Sequence, residues 1–113
     1  MQFTTFEAGE QQYKLKFTIN SLCTFEDKYG IGITDALVNT KGIYYLRGLL
    51  WAGLLAEHNA TVEQTGEIMD AYLSEDHGLS DLTKLLTEAL KAAGFFRMSG
   101  REKSAEEKGE NSK

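Results

Sequence analysis

Gly42-Ile43-Tyr44-Tyr45-Leu46-Arg47-Gly48-Leu49-Leu50-Trp51-Ala52-Gly53-Leu54-Leu55-Ala56-Glu57-His58 is apolar almost all the way round a helix. A helix with one buried face carries one apolar stripe opposite a polar one. Here only Arg47, Glu57 and His58 are offered to water. Two readings follow. Either the helix runs through the centre of the domain, or one of its apolar faces is left over for another protein. Nothing of comparable strength points to chemistry, so the chain reads as a binder and not as a catalyst.

At about 3.6 residues per turn, Arg47, Trp51, Leu54 and His58 share one stripe. Gly48, Ala52 and Ala56 form a neighbouring stripe of small side chains, which would let another backbone come close. Core packing accounts for most of this helix. The edge bearing Arg47 and His58 fits contact with a partner better, because a tryptophan flanked by arginine is the usual make-up of an interaction hot spot. The candidate partner surface is Leu50, Trp51 and Leu54 with Arg47, and Tyr44 near its edge.

Upstream, Phe3–Glu7 and Gln12–Phe17 read as two strands. In the second, Tyr13, Leu15 and Phe17 alternate with Lys14 and Lys16, the period of a half-buried strand. Ala8-Gly9-Glu10-Gln11 supplies the hairpin turn. A lone hairpin is marginal in water, so its apolar face is expected on the helices. Asn20 is the candidate N-cap of a helix through Tyr29, closed by Gly30. A short helix, Thr34–Val38, ends at Asn39-Thr40-Lys41-Gly42.

Downstream, Thr61 with Gln64 three residues on forms a capping box, and Val62, Gly66, Met69 and Leu73 are expected on the inner face of that helix. Ser80 or a neighbour caps the last helix, where Leu82, Leu85, Leu86, Ala89, Leu90, Ala93 and Phe96 make an amphipathic stripe. Lys84, Glu88 and Lys91 face water. From Ser99 to Lys113 there is no Ile, Leu, Val or aromatic residue, so residues 98–113 are expected to be a disordered polar tail behind a domain of residues 1–97. The expected fold is α+β: an N-terminal β-hairpin packed on a bundle of four to five α-helices.

The totals bound the function. A chain of 113 residues forms one domain with a modest core. Its net charge of −5 argues against nucleic acid as a main partner, since phosphate binding needs clustered Lys and Arg. Cys23 is the only cysteine, which excludes an intrachain disulfide and a cysteine-built zinc cage. Met1–Glu7 has neither a basic start nor a long apolar run, so no secretory leader is expected. Ile43–Ala56 is too short to span a bilayer and is interrupted by Arg47.

The remaining reactive residue types read as structural. His58 and His77 lie on different elements beside scattered carboxylates, so neither metal nor cofactor is expected. Cys23 is expected on the apolar side of the first helix as a buried, inert thiol. Glu26 and Asp27 are adjacent on a helix and point apart, which suits a surface or capping role. Gly30-Ile31-Gly32 lacks the strand, glycines and lysine of a phosphate loop and reads as a helix stop.

Taken in order, Tyr13–Phe17, Thr18–Cys23 with the acidic helix carrying Glu26, Gly30–Ile33, Leu46–Leu54, Thr61–Met69 and the closing Leu/Ala-rich helix resemble the tail assembly chaperones of long-tailed bacteriophages. The resemblance covers about Tyr13 to Phe96; the strand Phe3–Glu7 stands outside the pattern. It implies a small, acidic, non-catalytic protein made late in infection. Such a protein binds the tape-measure protein in the host cytoplasm and holds it soluble while tail-tube subunits assemble. It then stays out of the mature virion. The tail tube protein is a candidate second partner, self-association is expected, and a longer frameshifted form is common in the family. The alternative is a structural virion component, such as a head–tail connector or tail-completion protein.

Overall fold

Phe6 and Ala8 on one strand and Leu15 on the next are buried, while Thr5, Glu7 and Lys14 face out. This alternation gives the hairpin one apolar face. The computed structural model describes residues 4–38 and 42–95. Strand β1 (Thr4–Ala8) pairs antiparallel with β2 (Gln11–Leu15), with Thr4 opposite Leu15 and Ala8 opposite Gln11. The expected first residue of the hairpin, Phe3, lies outside the described residues. The loop is Gly9-Glu10, and both residues take left-handed backbone, with φ of 61° and 68°. A two-residue hairpin loop needs that conformation to match the strand twist.

Five helices follow among the described residues: α1 (Ile19–Tyr29), α2 (Ile33–Val38), α3 (Ile43–His58), α4 (Val62–Leu73) and α5 (Leu79–Ala92). The α+β reading therefore holds. The helix stop expected at Asn39–Lys41, the stripe residue Phe96 and the tail expected over 98–113 lie outside the described residues.

Helix α3 is the centre of the domain. It packs against α1, β2, α4 and α5. An element flanked on four sides has its middle closed to water, from Gly48 to Leu54, which is why that part of its sequence is apolar all round. Leu49, Leu50, Leu54 and Ala52 are fully enclosed, and Trp51 is only 9% exposed. Gly48 and Gly53 set the distances to its neighbours. A Cβ on Gly48 would lie 2.6 Å from the Tyr29 ring and 2.9 Å from Phe25. One on Gly53 would lie 2.9 Å from both Leu15 and Phe17. At Gly48 the small stripe therefore admits aromatic rings, where a backbone was expected. A backbone does come close at Gly53, whose carbonyl accepts a 2.9 Å hydrogen bond from the Lys16 amide.

Several local expectations shift. Thr18, not Asn20, caps α1: its Oγ1 accepts from the Ser21 amide at 3.0 Å, and Ser21 Oγ accepts from the Thr18 amide at 3.0 Å. The reciprocal pair satisfies two donors at once, which a cap at Asn20 would not. Ser21, Leu22 and Phe25 then form the inner face of α1, and Cys23 is exposed. At about 100° per residue it points well away from Leu22 and Phe25. Gly30, with φ of 66°, closes the helix as expected. Glu26 does cap, across elements: its Oε2 accepts from the Ile33 amide at the start of α2, at 2.8 Å.

Thr61 and Gln64 form the expected capping box on α4, with both bonds at 2.9–3.0 Å. The buried face of α4 is Thr65, Met69 and Tyr72, so the inner face is turned from the expected Val62, Gly66, Met69 and Leu73. Tyr72 sits edge-on to Phe6 of the hairpin, and this contact sets the rotation. Helix α5 starts from Gly78, whose amide donates to Asp81 Oδ2 at 2.8 Å; Ser80 is already inside the helix. Leu82, Leu86, Ala89 and Leu90 bury its apolar stripe.

Candidate interaction surface

The five residues expected to meet a partner separate into two groups. Leu50 and Leu54 are wholly interior and Trp51 nearly so. These three are corrected from partner surface to core. The reason is geometric: the stripe from Trp51 to Leu54 faces the elements packed on α3, not solvent. The indole is closed off further by Lys28, whose Nζ stands 5.6 Å from the ring centroid, and by Tyr29 at 6.4 Å. Tyr44 and Arg47 remain at the surface, 55% exposed and half-buried respectively.

Tyr44 belongs to an aromatic cluster at the N-terminal end of α3. Its ring meets Tyr29 at 4.8 Å and Tyr45 at 5.3 Å, and Tyr29 stacks on Phe25 at 4.9 Å. Burial raises the pKa of the Tyr29 hydroxyl above its ordinary value. The nearby Tyr44 adds to the rise, and the positive charge of the Arg47 guanidinium opposes it. Arg47 Nε is buried with no acceptor among the described residues, so packing holds this part of the arginine.

On its other side Arg47 lies over Gly66, where a Cβ would stand 3.6 Å from Arg47 Cδ. Here α3 and α4 diverge into an open cleft of about 410 Å³. Ile43 and Arg47, one turn apart, form the α3 wall. Gly66, Met69 and Leu73 form the apolar part of the α4 wall. Glu63, Glu67 and Asp70 line the same cleft and are all exposed. Ile43 is 56% exposed at its mouth, beside Tyr44. A sequence reading passes over this cleft because Glu63, Glu67 and Asp70 look like an ordinary solvated helix face. The available signal is their spacing of i, i+4 and i+7, with Gly66 set among them.

The histidines are occupied structurally. His58 Nε2 accepts a 2.9 Å hydrogen bond from the Lys14 amide on the outer edge of β2, and its ring meets Tyr13 at 5.2 Å. This requires the tautomer with its proton on Nδ1. His77 stacks on Tyr72 at 4.0 Å. Among the described residues no group of three or more His, Cys, Asp or Glu side chains could hold a metal ion. No described helix is long and apolar enough to cross a membrane. The chain matches no family model, no curated protein and no solved structure.

Proposed function

We propose that this protein is a non-catalytic holding chaperone that binds the phage tape-measure protein and keeps it soluble during tail assembly. It acts in the host cytoplasm and is left out of the finished virion. The reading draws on the order of segments resembling tail assembly chaperones. The observation that supports it is the exposed apolar pair Ile43 and Tyr44 at the N-terminal end of α3, with Ile43 lining the α3/α4 cleft. A holding chaperone needs apolar surface that survives its own folding, and helix-in-groove recognition uses such a surface as its anchor. The contact surface in this reading is Ile43, Tyr44 and Arg47 with the facing side of α4, in place of the interior Leu50, Trp51 and Leu54.

The test is co-expression of the tape-measure protein with the wild-type chain or with Ile43→Asp/Tyr44→Asp. Both positions are more than half exposed, so the variant is expected to fold. The expected result is a soluble tape-measure protein with the wild type and an aggregated one with the variant. Equal solubility with both would overturn the proposed surface. Insolubility even with the wild type, or the chain found in purified virions by mass spectrometry, would overturn the chaperone reading.

A further inference from the structure

We infer that the α3/α4 cleft takes a basic amphipathic helix, with its cationic residues set one helical turn apart. The inference rests on the client-holding reading for the identity of the bound chain and adds the chemistry of the segment recognised.

The cleft has a divided lining. Its floor and one lip are apolar: Met69 and Leu73 from α4, and the exposed Ile43 from α3. Its other lip is a row of carboxylates, Glu63, Glu67 and Asp70. Three carboxylates against the single guanidinium of Arg47 leave a local excess of two negative charges. The row is available for pairing. Among the described residues the one ion pair joins Lys16 to Glu57, at the far, C-terminal end of α3. Arg47 makes no ion pair with the row among the described residues, and its side chain lies across Gly66.

Spacing narrows the occupant. Glu63, Glu67 and Asp70 follow one face of α4 over about 10 Å, at roughly 1.5 Å per residue. A helix lying along that face would match them with Lys or Arg three and four residues apart. Its adjoining apolar stripe would then rest on Ile43, Met69 and Leu73. Gly66, without a side chain, keeps the middle of the wall low. An acidic helix would set like charge against the row, and a strand, whose same-face residues recur at about 6.7 Å, follows its steps of about 6 and 4.5 Å less closely than a helix does.

The experiment uses the full chain and two fluorescein-labelled synthetic peptides. Both carry the same leucine stripe at helical spacing; one has lysine and the other glutamate at every polar position. Anisotropy is expected to show the leucine/lysine peptide bound and the leucine/glutamate peptide not. Affinity should fall as salt rises from about 0.05 to about 0.5 M. Reversing the row with Glu63→Lys/Glu67→Lys/Asp70→Lys should weaken the lysine peptide by about tenfold or more and admit the glutamate peptide. Ile43→Ser should weaken the lysine peptide several-fold with an unchanged circular dichroism spectrum. All four positions are exposed, so loss of fold does not confound the result.

Undiminished binding to the reversed chain, or to Ile43→Ser, would overturn the inference. So would equal binding of both peptides to the wild type. A chain that keeps the tape-measure protein soluble yet ignores peptide charge would sink the cleft and spare the chaperone reading. A chain that binds the lysine peptide through this row yet fails to protect the client would do the opposite.

Discussion

Gly48 shows two residue-scale effects in opposition. Alanine is the better helix former by about 1 kcal/mol. Its Cβ, however, would press into the Tyr29 and Phe25 rings at 2.6–2.9 Å, and those rings are stacked on each other with little freedom to retreat. Overpacking of this kind costs about 1–3 kcal/mol. Gly48→Ala is therefore expected to be destabilising, by up to about 2 kcal/mol, as a lower urea midpoint with an unchanged slope. Tyrosine ionisation gives a second expectation. The Tyr72 hydroxyl is raised above 10.0 by burial and by the nearby Asp81, and Tyr29 is raised chiefly by burial. The unfolded chain loses these protons first as pH rises. Their stabilising effect is thus full below pH 10.0 and is lost as pH climbs through the folded-state values. The melting temperature should decline above that pH, and less steeply in Tyr72→Phe, as thermal scans across alkaline pH would show.

At the scale of elements, most stabilising detail lies at ends and edges. The hairpin places Glu10 in the left-handed region, where a side chain is disfavoured by roughly 1–2 kcal/mol. Glu10→Gly should stabilise the domain by about 0.5–1 kcal/mol, the relief being partly offset by glycine's greater freedom when unfolded; thermal denaturation would register it as a higher midpoint. The tip is also tied down, since the Gly9 amide donates to Glu75 Oε2 at 2.8 Å. Along β2 the outer edge is closed by His58 on the Lys14 amide and by the Gly53 carbonyl on the Lys16 amide. An edge so occupied is a poor template for pairing with another chain. Capping is as consequential: Thr61→Ala should cost about 1 kcal/mol by removing the acceptor for the Gln64 amide.

For the whole molecule, α3 couples every layer. Trp51→Glu would bury a charge among Tyr29, Lys28 and the core, so it tests folding and not binding. Its expected outcome is a chain without a cooperative thermal transition, whereas Ile43→Asp should melt close to the wild type. Differential scanning calorimetry of the two separates core from surface directly. The exposed large apolar side chains among the described residues are Ile19, Ile43, Tyr44 and Leu79, of which Ile43 and Tyr44 adjoin at the N-terminal end of α3.

Periodicity and turn chemistry were enough to read the α+β class, the hairpin, the αL closure at Gly30 and the capping box at Thr61, because each depends on neighbours in sequence. The apolar character of α3 was equally plain, but its meaning was not. Whether Leu50, Trp51 and Leu54 meet a partner or the core depends on how many elements surround the helix, and β2 lies far from it in the chain. The rotation of α4, set by Tyr72 against Phe6, likewise decides that Gly66 and Leu73 line a cleft. Local sequence determined which segments would be helix or strand and where they stop. Only tertiary packing decided which apolar side chains were left over, because burial is a property of the assembled neighbours and not of the segment itself.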